Sequence, residues 1–272
     1  MALRIQKALK YGMIGEGATV GEKFAAAKAA GFDGVEMDSP GDLDPQEVLA
    51  ARDATGLAIP GVVDSAHWRD TLSHPDAVVR ARGLEALQTA IRDAATFGAT
   101  TVLLVPAVVN EQVSYADAYT RSQAEIRNAL PLAKELGVKI AFENVWNNFL
   151  LSPLEAARYI DEFESPMVGW YFDIGNIVNS GWPHHWIEAL GHRILKLDIK
   201  DFSRAKRDNE GLWKGFQIEI GEGDAGWPQV RTALGAIGYS GWAAAEVRGG
   251  DAARLRDIAR RMDGVLEIKK EP

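Results

Sequence analysis

The chain has 272 residues, of which 47% are hydrophobic and 25% charged, an ordinary composition for a globular protein of one large domain or two small ones. Its net charge of −8 disfavours a nucleic-acid-binding surface, which needs a basic face, and the absence of cysteine excludes disulfides and thiolate metal sites. No apolar run approaches the roughly 20 residues of a membrane-spanning helix, so neither a nucleic acid nor a membrane is an expected partner.

The N-terminal segment lacks the pattern of a secretory signal. The stretch MALRIQKALK is positively charged, but no apolar run of signal-peptide length follows it. We therefore expect a cytoplasmic protein, with the reservation that a signal removed from the sequence would leave no trace.

Short apolar runs that favour β-strands alternate along the chain with segments of helical spacing. Apolar residues recur at i, i+3, i+7 and i+10 in the segments 84–94 and 255–265, which predicts helices with one buried face. Glycine marks the predicted helix ends, because it adopts the left-handed conformation at little steric cost. The eight predicted strands lie in KALKYGMIG, GVEMDS, AIPGVVDSAHW, TVLLVPAVV, VKIAFENV, VGWYFDIGN, ILKLDIKDF and GWAAAEV.

Eight alternating β/α units in a chain of this length predict an α/β fold, a single (β/α)8 TIM barrel that spans residues 1–272. The alternative is a doubly wound open sheet. It is disfavoured because the glycine-rich turn after the first strand, GMIGEGATV, lacks the G-x-G-x-x-G spacing. The long irregular segment 203–224 follows the seventh strand, where barrel loops usually serve the active site, and we predict that its Trp213 closes over the mouth.

Four acidic residues end the last four predicted strands: Glu143, Asp173, Asp198 and Glu246. In a barrel the C-terminal ends of the strands meet at one mouth, so these carboxylates would be neighbours and would repel one another. A divalent cation removes that conflict, and an oxygen-only ligand set suits Mg²⁺, Mn²⁺ or Ca²⁺ better than Zn²⁺ or Cu²⁺. The alternative, that each acid is a surface residue or a helix cap, is weaker for four acids at matching places than for one.

The motifs FEN, FDIGN and AEV at the ends of strands five, six and eight resemble the xylose isomerase-like barrel superfamily. Within it the chain is most similar to the sugar (phosphate) isomerases and epimerases, which include D-tagatose 3-epimerases and inosose isomerases. The resemblance covers essentially the whole chain and is carried by GFDGVE, FENVWNNFLLSP and GYSGWAAAEV.

The resemblance implies one Mn²⁺, Mg²⁺ or Co²⁺ ion held by Glu, Asp, His and Glu. Glu143, Asp173 and Glu246 match three of these ligands, whereas the histidine of the seventh strand falls on Asp198. This is a departure from the family pattern. An aspartate there should favour the harder ions Mn²⁺ and Mg²⁺, or should weaken metal binding if it is not a ligand.

Five further residues are candidates for substrate binding. The resemblance places Asn176 where relatives carry a substrate-binding histidine, Arg204 at an arginine that contacts a substrate oxygen, and His67 at a binding position after strand three. Strand alternation directs Lys200 toward the mouth, since it lies two residues beyond the acid of the seventh strand, although a solvated lysine is an equal alternative. Glu36 ends strand two and could hydrogen-bond substrate hydroxyls.

Two glutamates beside a metal-bound hydroxy-ketone suit proton transfer next to a carbonyl. We interpret Glu143 and Glu246 as the acid/base pair of a keto-sugar isomerase or epimerase that works through a metal-stabilised enediolate, with Asp173 and Asp198 as ligands. A small-molecule sugar is the expected partner, and the acids in the glycine-rich GEGDAGW favour an unphosphorylated one.

Other functions remain open. A lyase that performs β-elimination on a 3-keto-glycoside would need the same residues, and a non-catalytic sugar-binding relative would explain the missing histidine. A nuclease resembling endonuclease IV would need many more than the five histidines present and a less acidic chain. Which sugar is used, at which carbon, and whether the chain forms a homo-oligomer are not settled by the sequence.

Overall fold

Eight parallel strands pair in chain order and close into a barrel in the computed structural model, which describes residues 4–268. The first strand pairs with both the second and the eighth, so the sheet has no open edge. This confirms the predicted TIM barrel, and the doubly wound sheet is wrong. The strands are β1 Arg4–Lys10, β2 Gly34–Ser39, β3 Val62–Asp64, β4 Thr101–Leu104, β5 Lys139–Glu143, β6 Val168–Asp173, β7 Ile194–Ile199 and β8 Ser240–Ala245.

Helices cover the outside of the barrel and bury their apolar faces against the strands. Several end where the sequence predicts, at glycines in the left-handed conformation such as Gly31, with φ 92°, and Gly137, with φ 69°. None of the described helices is long and apolar enough to span a membrane. The helices are α1 Val20–Ala30, α2 Pro45–Thr55, α3 Ala77–Phe97, α4 Tyr115–Leu136, α5 Pro153–Asp161, α6 Ile174–Val178, α7 Pro183–Leu190, α8 Arg204–Glu210, α9 Trp227–Ala236 and α10 Ala252–Leu266.

The segment after β7 is more ordered than the sequence predicted. It contains the short helix α8 and a 3₁₀ turn at Leu212–Phe216, with Ser203 capping α8 through the backbone N–H of Lys206. Serine at a helix start supplies an acceptor for a free N–H group, and this local signal was overlooked in a stretch without apolar periodicity. The turn carries Trp213 and Phe216 to the mouth of the barrel.

The barrel contains both apolar and charged buried side chains. Leu103, Ala141 and Tyr171 form a small apolar cluster that is separate from the main core. Beside it Glu36 and Lys196 are 1% and 2% exposed and form an ion pair across the barrel. Such a pair is stable only when hydrogen bonds satisfy its remaining atoms, and the hydroxyl of Tyr171 donates to the Glu36 carboxylate at 2.8 Å.

The space for this buried pair exists because residue 61 is a glycine. A Cβ atom on Gly61 would contact the Lys196 ammonium and would lie 2.9 Å from Glu36 Oε1. We predict that Gly61→Ala lowers the free energy of unfolding by about 1–3 kcal/mol, the usual range for an overpacked interior. Thermal and denaturant unfolding would measure the change.

Gly21→Ala is the matched control, since Gly21 lies in α1 and a Cβ atom there has open space around it. Alanine is the better helix former, so this variant should be neutral or more stable by about 0.5–1 kcal/mol. Equal effects of the two variants on the free energy of unfolding would show that the Glu36–Lys196 pair does not require a glycine at position 61.

Candidate active site

The four predicted acids meet at the mouth of the barrel. Glu143 and Asp173 are the last residues of β5 and β6, Asp198 is the next-to-last residue of β7, and Glu246 follows β8 directly. Asp173 and Asp198 are register partners across the β6–β7 pair. One carboxylate oxygen from each of the four residues lies within 4.8 Å of the others. Strand ends that are far apart in sequence therefore converge on one point.

The donor set fits a hard divalent cation. Asp173 and Asp198 are fully buried, and within residues 4–268 the oxygens Asp173 Oδ2 and Asp198 Oδ1 accept no hydrogen bond of good geometry. The other oxygen of Asp173 accepts the backbone N–H of Asn176 at 2.8 Å, which fixes the orientation of the carboxylate. The partners of Asp173 Oδ2 and Asp198 Oδ1 are lysine ammonium groups, and carboxylate oxygens are the ligands that Mg²⁺ and Mn²⁺ prefer.

Two lysines lie directly beside the four acids. The ammonium of Lys200 is 2.7 Å from Asp173 Oδ2 and 2.5 Å from Glu246 Oε2. The ammonium of Lys10 is 3.0 Å from Asp198 Oδ1 and 2.9 Å from Glu36 Oε2.

With the Glu36–Lys196 pair beneath them, the four acids belong to a group of five carboxylates and three ammonium groups, and Asp38 is a sixth carboxylate in the cavity lining. Carboxylates therefore outnumber ammonium groups here, and a divalent cation would reduce this excess of negative charge.

The two glutamates of this cluster have opposite proton affinities. Burial, and next the charge of Glu246, raise the pKa of Glu143 well above its usual value. Burial acts in the same direction on Glu246, but the ammonium groups of Lys200 and Lys10 outweigh it and hold that pKa at about 2. Groups whose environments push their pKa values apart are suited to opposite roles in proton transfer.

A cavity of about 460 Å³ lies over the acids, a size typical of small-molecule sites. One wall is aromatic: the rings of Trp146 and Trp213 are 4.9 Å apart, and those of Trp146 and Phe216 are 5.0 Å apart. Trp213 is 68% exposed and lies on the rim, where the sequence placed it. The polar lining residues are Lys10, Asp38, His67, Glu143, Asn176, Lys200 and Glu246.

A second, larger cavity of about 950 Å³ adjoins the first and shares Lys200, Phe216 and Glu246 with it. It extends between the segments 217–219 and 247–249, with Arg254 of α10 on its wall. Arg254 donates to Glu219 at 2.7 Å and to the carbonyl of Arg248 at 3.1 Å, and so connects the two segments. The mouth therefore has room for a substrate larger than one sugar ring.

Three of the predicted substrate residues line the cavity over the acids. His67 lies in the turn after β3, and its Nδ1 accepts the backbone N–H of Val105 at 3.3 Å, which leaves Nε2–H as its donor. Asn176 donates its amide to the carbonyl of Asn144 at 2.9 Å. Lys200 reaches the acids as strand alternation predicted.

Two predicted substrate residues are placed elsewhere. Glu36 lies below the cavity, and its carboxylate is fully engaged by Lys10, Lys196 and Tyr171, so it is not available to substrate hydroxyls. Arg204 donates to the carbonyls of Val178 and Gly181 at 3.0 and 2.7 Å and lines neither cavity. The structure thus corrects both predictions: Glu36 supports the site from within the barrel, and Arg204 braces a loop beside it.

Sequence analysis missed residues that hold the acids in place. Asn144 accepts the backbone N–H of Asp173 at 3.0 Å and donates to its carbonyl at 2.7 Å, and it follows the FEN glutamate directly. Lys10 was overlooked because the first predicted strand ran past it, although β1 in fact ends there, at the mouth. No sequence pattern singled out Lys196 or Tyr171, because a lysine that is buried in the fold cannot be distinguished from a solvated one unless its partner is known.

The chain belongs to the xylose isomerase-like TIM barrel family, whose model matches residues 24–265. This confirms the resemblance inferred from the motifs. Over 235 residues the chain is 28% identical to the L-ribulose-5-phosphate 3-epimerase UlaE of Escherichia coli O1:K1, covering 81% of this chain and 79% of that protein.

Solved structures share the fold. The 3-keto-D-glucoside 4-epimerase YcjR from E. coli has a TM-score of 0.80 at 17% identity and covers 97% of this chain and 100% of its own. An L-ribulose 3-epimerase has a TM-score of 0.78 at 18% identity, covering 97% and 95%. An IolI protein with a bound zinc atom has a TM-score of 0.78 at 15% identity, covering 97% and 98%.

The His67 ring should be neutral throughout the physiological pH range. Burial, and next the positive charge of Lys10, lower its pKa to about 4. The unfolded chain, with an ordinary histidine pKa of about 6.5, binds a proton that the folded protein does not. His67 therefore does not lower the free energy of unfolding above about pH 6.5, and lowers it progressively as the pH falls from 6.5 toward 4.

NMR titration of the His67 imidazole nitrogens would test this prediction. His67→Gln should flatten the dependence of unfolding free energy on pH between about 4 and 6.5. An inflection of the His67 signal near pH 6.5 would contradict it.

Proposed function

We propose that this protein is a divalent-metal-dependent epimerase or isomerase of a keto-sugar. The observation that carries the proposal is the pair Glu143 and Glu246, which belong to one carboxylate cluster, line one cavity and have opposite pKa shifts. The names of the relatives support epimerisation in particular, because they include a ribulose-phosphate epimerase and a keto-glucoside epimerase.

The proposed metal ligands are Glu143, Asp173, Asp198 and Glu246, with Mn²⁺ or Mg²⁺ preferred by an oxygen-only set and Co²⁺ as a third candidate. A divalent ion there would polarise the substrate carbonyl and offset the negative charge of an enediolate. The zinc bound to the IolI protein shows that one barrel of this fold accepts a metal ion, but the ion of this chain is a separate question.

The proton transfers fall to the two glutamates. The Lys200 ammonium keeps Glu246 ionised, so its carboxylate is ready to remove the proton next to the carbonyl. Glu143, whose pKa is raised by burial and next by the charge of Glu246, is the glutamate suited to return a proton to the opposite face of the enediolate. In the reverse direction the two residues exchange roles, as microscopic reversibility requires.

The remaining lining residues would bind and shield the sugar. The Nε2–H of His67 and the ammonium of Lys200 are donors for substrate oxygens. The aromatic wall of Trp146, Trp213 and Phe216 offers an apolar face to the sugar carbons and excludes water from the proton transfers.

Neither alternative function has an observation of its own in its favour. A lyase would use the same acids on a 3-keto-glycoside, but the named relatives are epimerases. A sugar-binding protein without activity would differ from the relatives, which are named as epimerases. The substrate itself, including its phosphorylation, is best found by a screen.

The metal dependence can be tested by removing and restoring the ion. We predict that a chelator abolishes epimerisation, that Mn²⁺ or Mg²⁺ restores it, and that one ion binds per chain. The assay is NMR in heavy water with free ketoses, ketose 5-phosphates and 3-keto-glycosides, where deuterium entering next to the carbonyl reports proton abstraction. Full activity of a metal-free sample would contradict the metal site, and release of a free aglycone would identify a lyase.

The acid/base pair can be tested by Glu143→Gln and Glu246→Gln, which keep the size of the side chain but remove its proton-transfer capacity. Turnover should fall at least about 10²-fold in each variant, the usual scale of general acid–base catalysis. Metal content must be measured in the same samples, because each change also removes a ligand charge.

The informative variant is one that exchanges the substrate proton with heavy water but makes no product. Its missing glutamate would be the residue that acts after the enediolate. Normal turnover of both variants with metal bound would rule out the two-glutamate mechanism and would direct attention to His67 or Lys200.

A further inference from the structure

Asp198 is the acid of the cluster that forms an ion pair with Lys10, which comes from a strand two places away in the barrel. The ammonium of Lys10 lies 3.0 Å from Asp198 Oδ1 and 3.1 Å from Oδ2, so it contacts both oxygens of the carboxylate. Lys10 belongs to β1 and Asp198 to β7, and β8 lies between these strands. The contact therefore crosses the interior of the barrel.

Lys10 is itself held in place by a second set of buried groups. Its register partner on β2 is Glu36, whose Oε2 lies 2.9 Å from the ammonium. Lys196 and the hydroxyl of Tyr171 hold Glu36 from the other side, and the Tyr171 ring lies 4.7 Å below the Lys10 ammonium. The ammonium thus has a fixed position in a nearly closed interior, with a side-chain exposure of 14%.

A fixed ammonium next to a metal ligand has an electrostatic consequence. A neutral side chain at position 198 would leave the charge of Lys10 facing the metal ion, with Glu36 as its one remaining acidic contact. The repulsion would oppose metal binding, and strongly so in a buried site of low effective dielectric constant. An aspartate at this position removes that repulsion because it binds Lys10 and still presents an oxygen to the cluster.

We propose that Lys10 is a positioning residue for the metal centre. It fixes the carboxylate of Asp198 toward the other three ligands and neutralises the extra charge that an aspartate brings to the seventh strand. Lys10 and Asp198 are in this view a matched pair, and neither works at the site without the other. The inference rests on the proposed metal-dependent function and adds to it a reason for the aspartate near the end of the seventh strand.

Lys200 does not have the same role, although it also contacts two of the acids. It lies at the rim, lines both cavities and pairs with Asp173 and Glu246, so it is exposed to substrate. Lys10 also lines the first cavity, and the two side chains are about equally exposed, at 14% and 15%. The two lysines differ in their partners: Lys200 pairs with Asp173 and Glu246, whereas Lys10 pairs with Asp198 and the buried Glu36.

A double-mutant cycle measures this coupling directly. The variants are Lys10→Met, which keeps the length of the side chain, Asp198→Asn, which keeps the shape of the ligand, and the two combined. The readout is the dissociation constant of Mn²⁺ by calorimetry on metal-free protein, which requires no substrate and no activity.

We expect Asp198→Asn alone to weaken Mn²⁺ binding at least about 10-fold, because it leaves the Lys10 ammonium unneutralised. Adding Lys10→Met should restore at least about 5-fold of that loss, within the coupling found for residues in contact. The melting temperature of the metal-free proteins is a second measurement. Lys10→Met alone should lower it, and adding Asp198→Asn to Lys10→Met should partly restore it.

Lys7→Met is the matched control. Lys7 also lies in β1 and is buried, at 3% exposure, but its ammonium pairs with Asp263 and the carbonyl of Ala259 on α10, outside the barrel. This variant should leave Mn²⁺ binding within about twofold and should not rescue Asp198→Asn.

The outcomes separate this inference from the function on which it rests. If the unmodified protein binds Mn²⁺ and epimerises a sugar, but the double variant binds no better than Asp198→Asn, the role of Lys10 is wrong and the function stands. If the unmodified protein binds no divalent ion, both are wrong.

Discussion

Like charges gathered in a dry interior must be neutralised, and this constraint governs the mouth of the barrel. Glu143, Asp173 and Asp198 are buried within 4.8 Å of one another and of Glu246, an arrangement that costs several kcal/mol unless cations compensate it. The chain supplies three ammonium groups but also a fifth acid, Glu36. The acids therefore outnumber the ammonium groups, and a divalent ion would reduce this excess of negative charge. The metal-site proposal follows from this excess as much as from the ligand geometry.

The barrel keeps the buried acids next to the ammonium groups because the register of its strand pairs is fixed. Lys10 and Glu36 face each other as register partners of β1 and β2, and Asp173 and Asp198 as partners of β6 and β7. A slip of one residue in either strand pair would turn these side chains to the outer face. Closure removes the sheet edges where such a slip would be easiest, so the fold fixes the charges before any ligand arrives.

The sequence predicts those features of the fold and the site that depend on one strand or helix alone. Each of the four acids ends a recognisable apolar run, and the fold follows from the alternation of such runs with helical segments. The partners of the acids depend instead on the distance across the closed barrel, which no local pattern contains. The sequence therefore contained nothing to exclude Glu36 from substrate binding and nothing to single out Lys10. Arg204 was misplaced for a related reason: the path of the loop decides that it binds backbone carbonyls.

The placement of the lysines makes two chemically identical glutamates unequal. Lys200 contacts Glu246 and leaves Glu143 without a direct ion pair among the described residues, so one is held ionised while the proton affinity of the other rises. A reaction that must remove a proton on one face of a carbon and return one on the other needs this asymmetry at its start. Lys10 also helps to lower the pKa of Glu246, but its direct ion pairs are with Asp198 and Glu36. In the proposed mechanism the two lysines differ in their direct contacts: Lys200 pairs with the glutamate that would remove the proton, and Lys10 pairs with the aspartate among the proposed ligands.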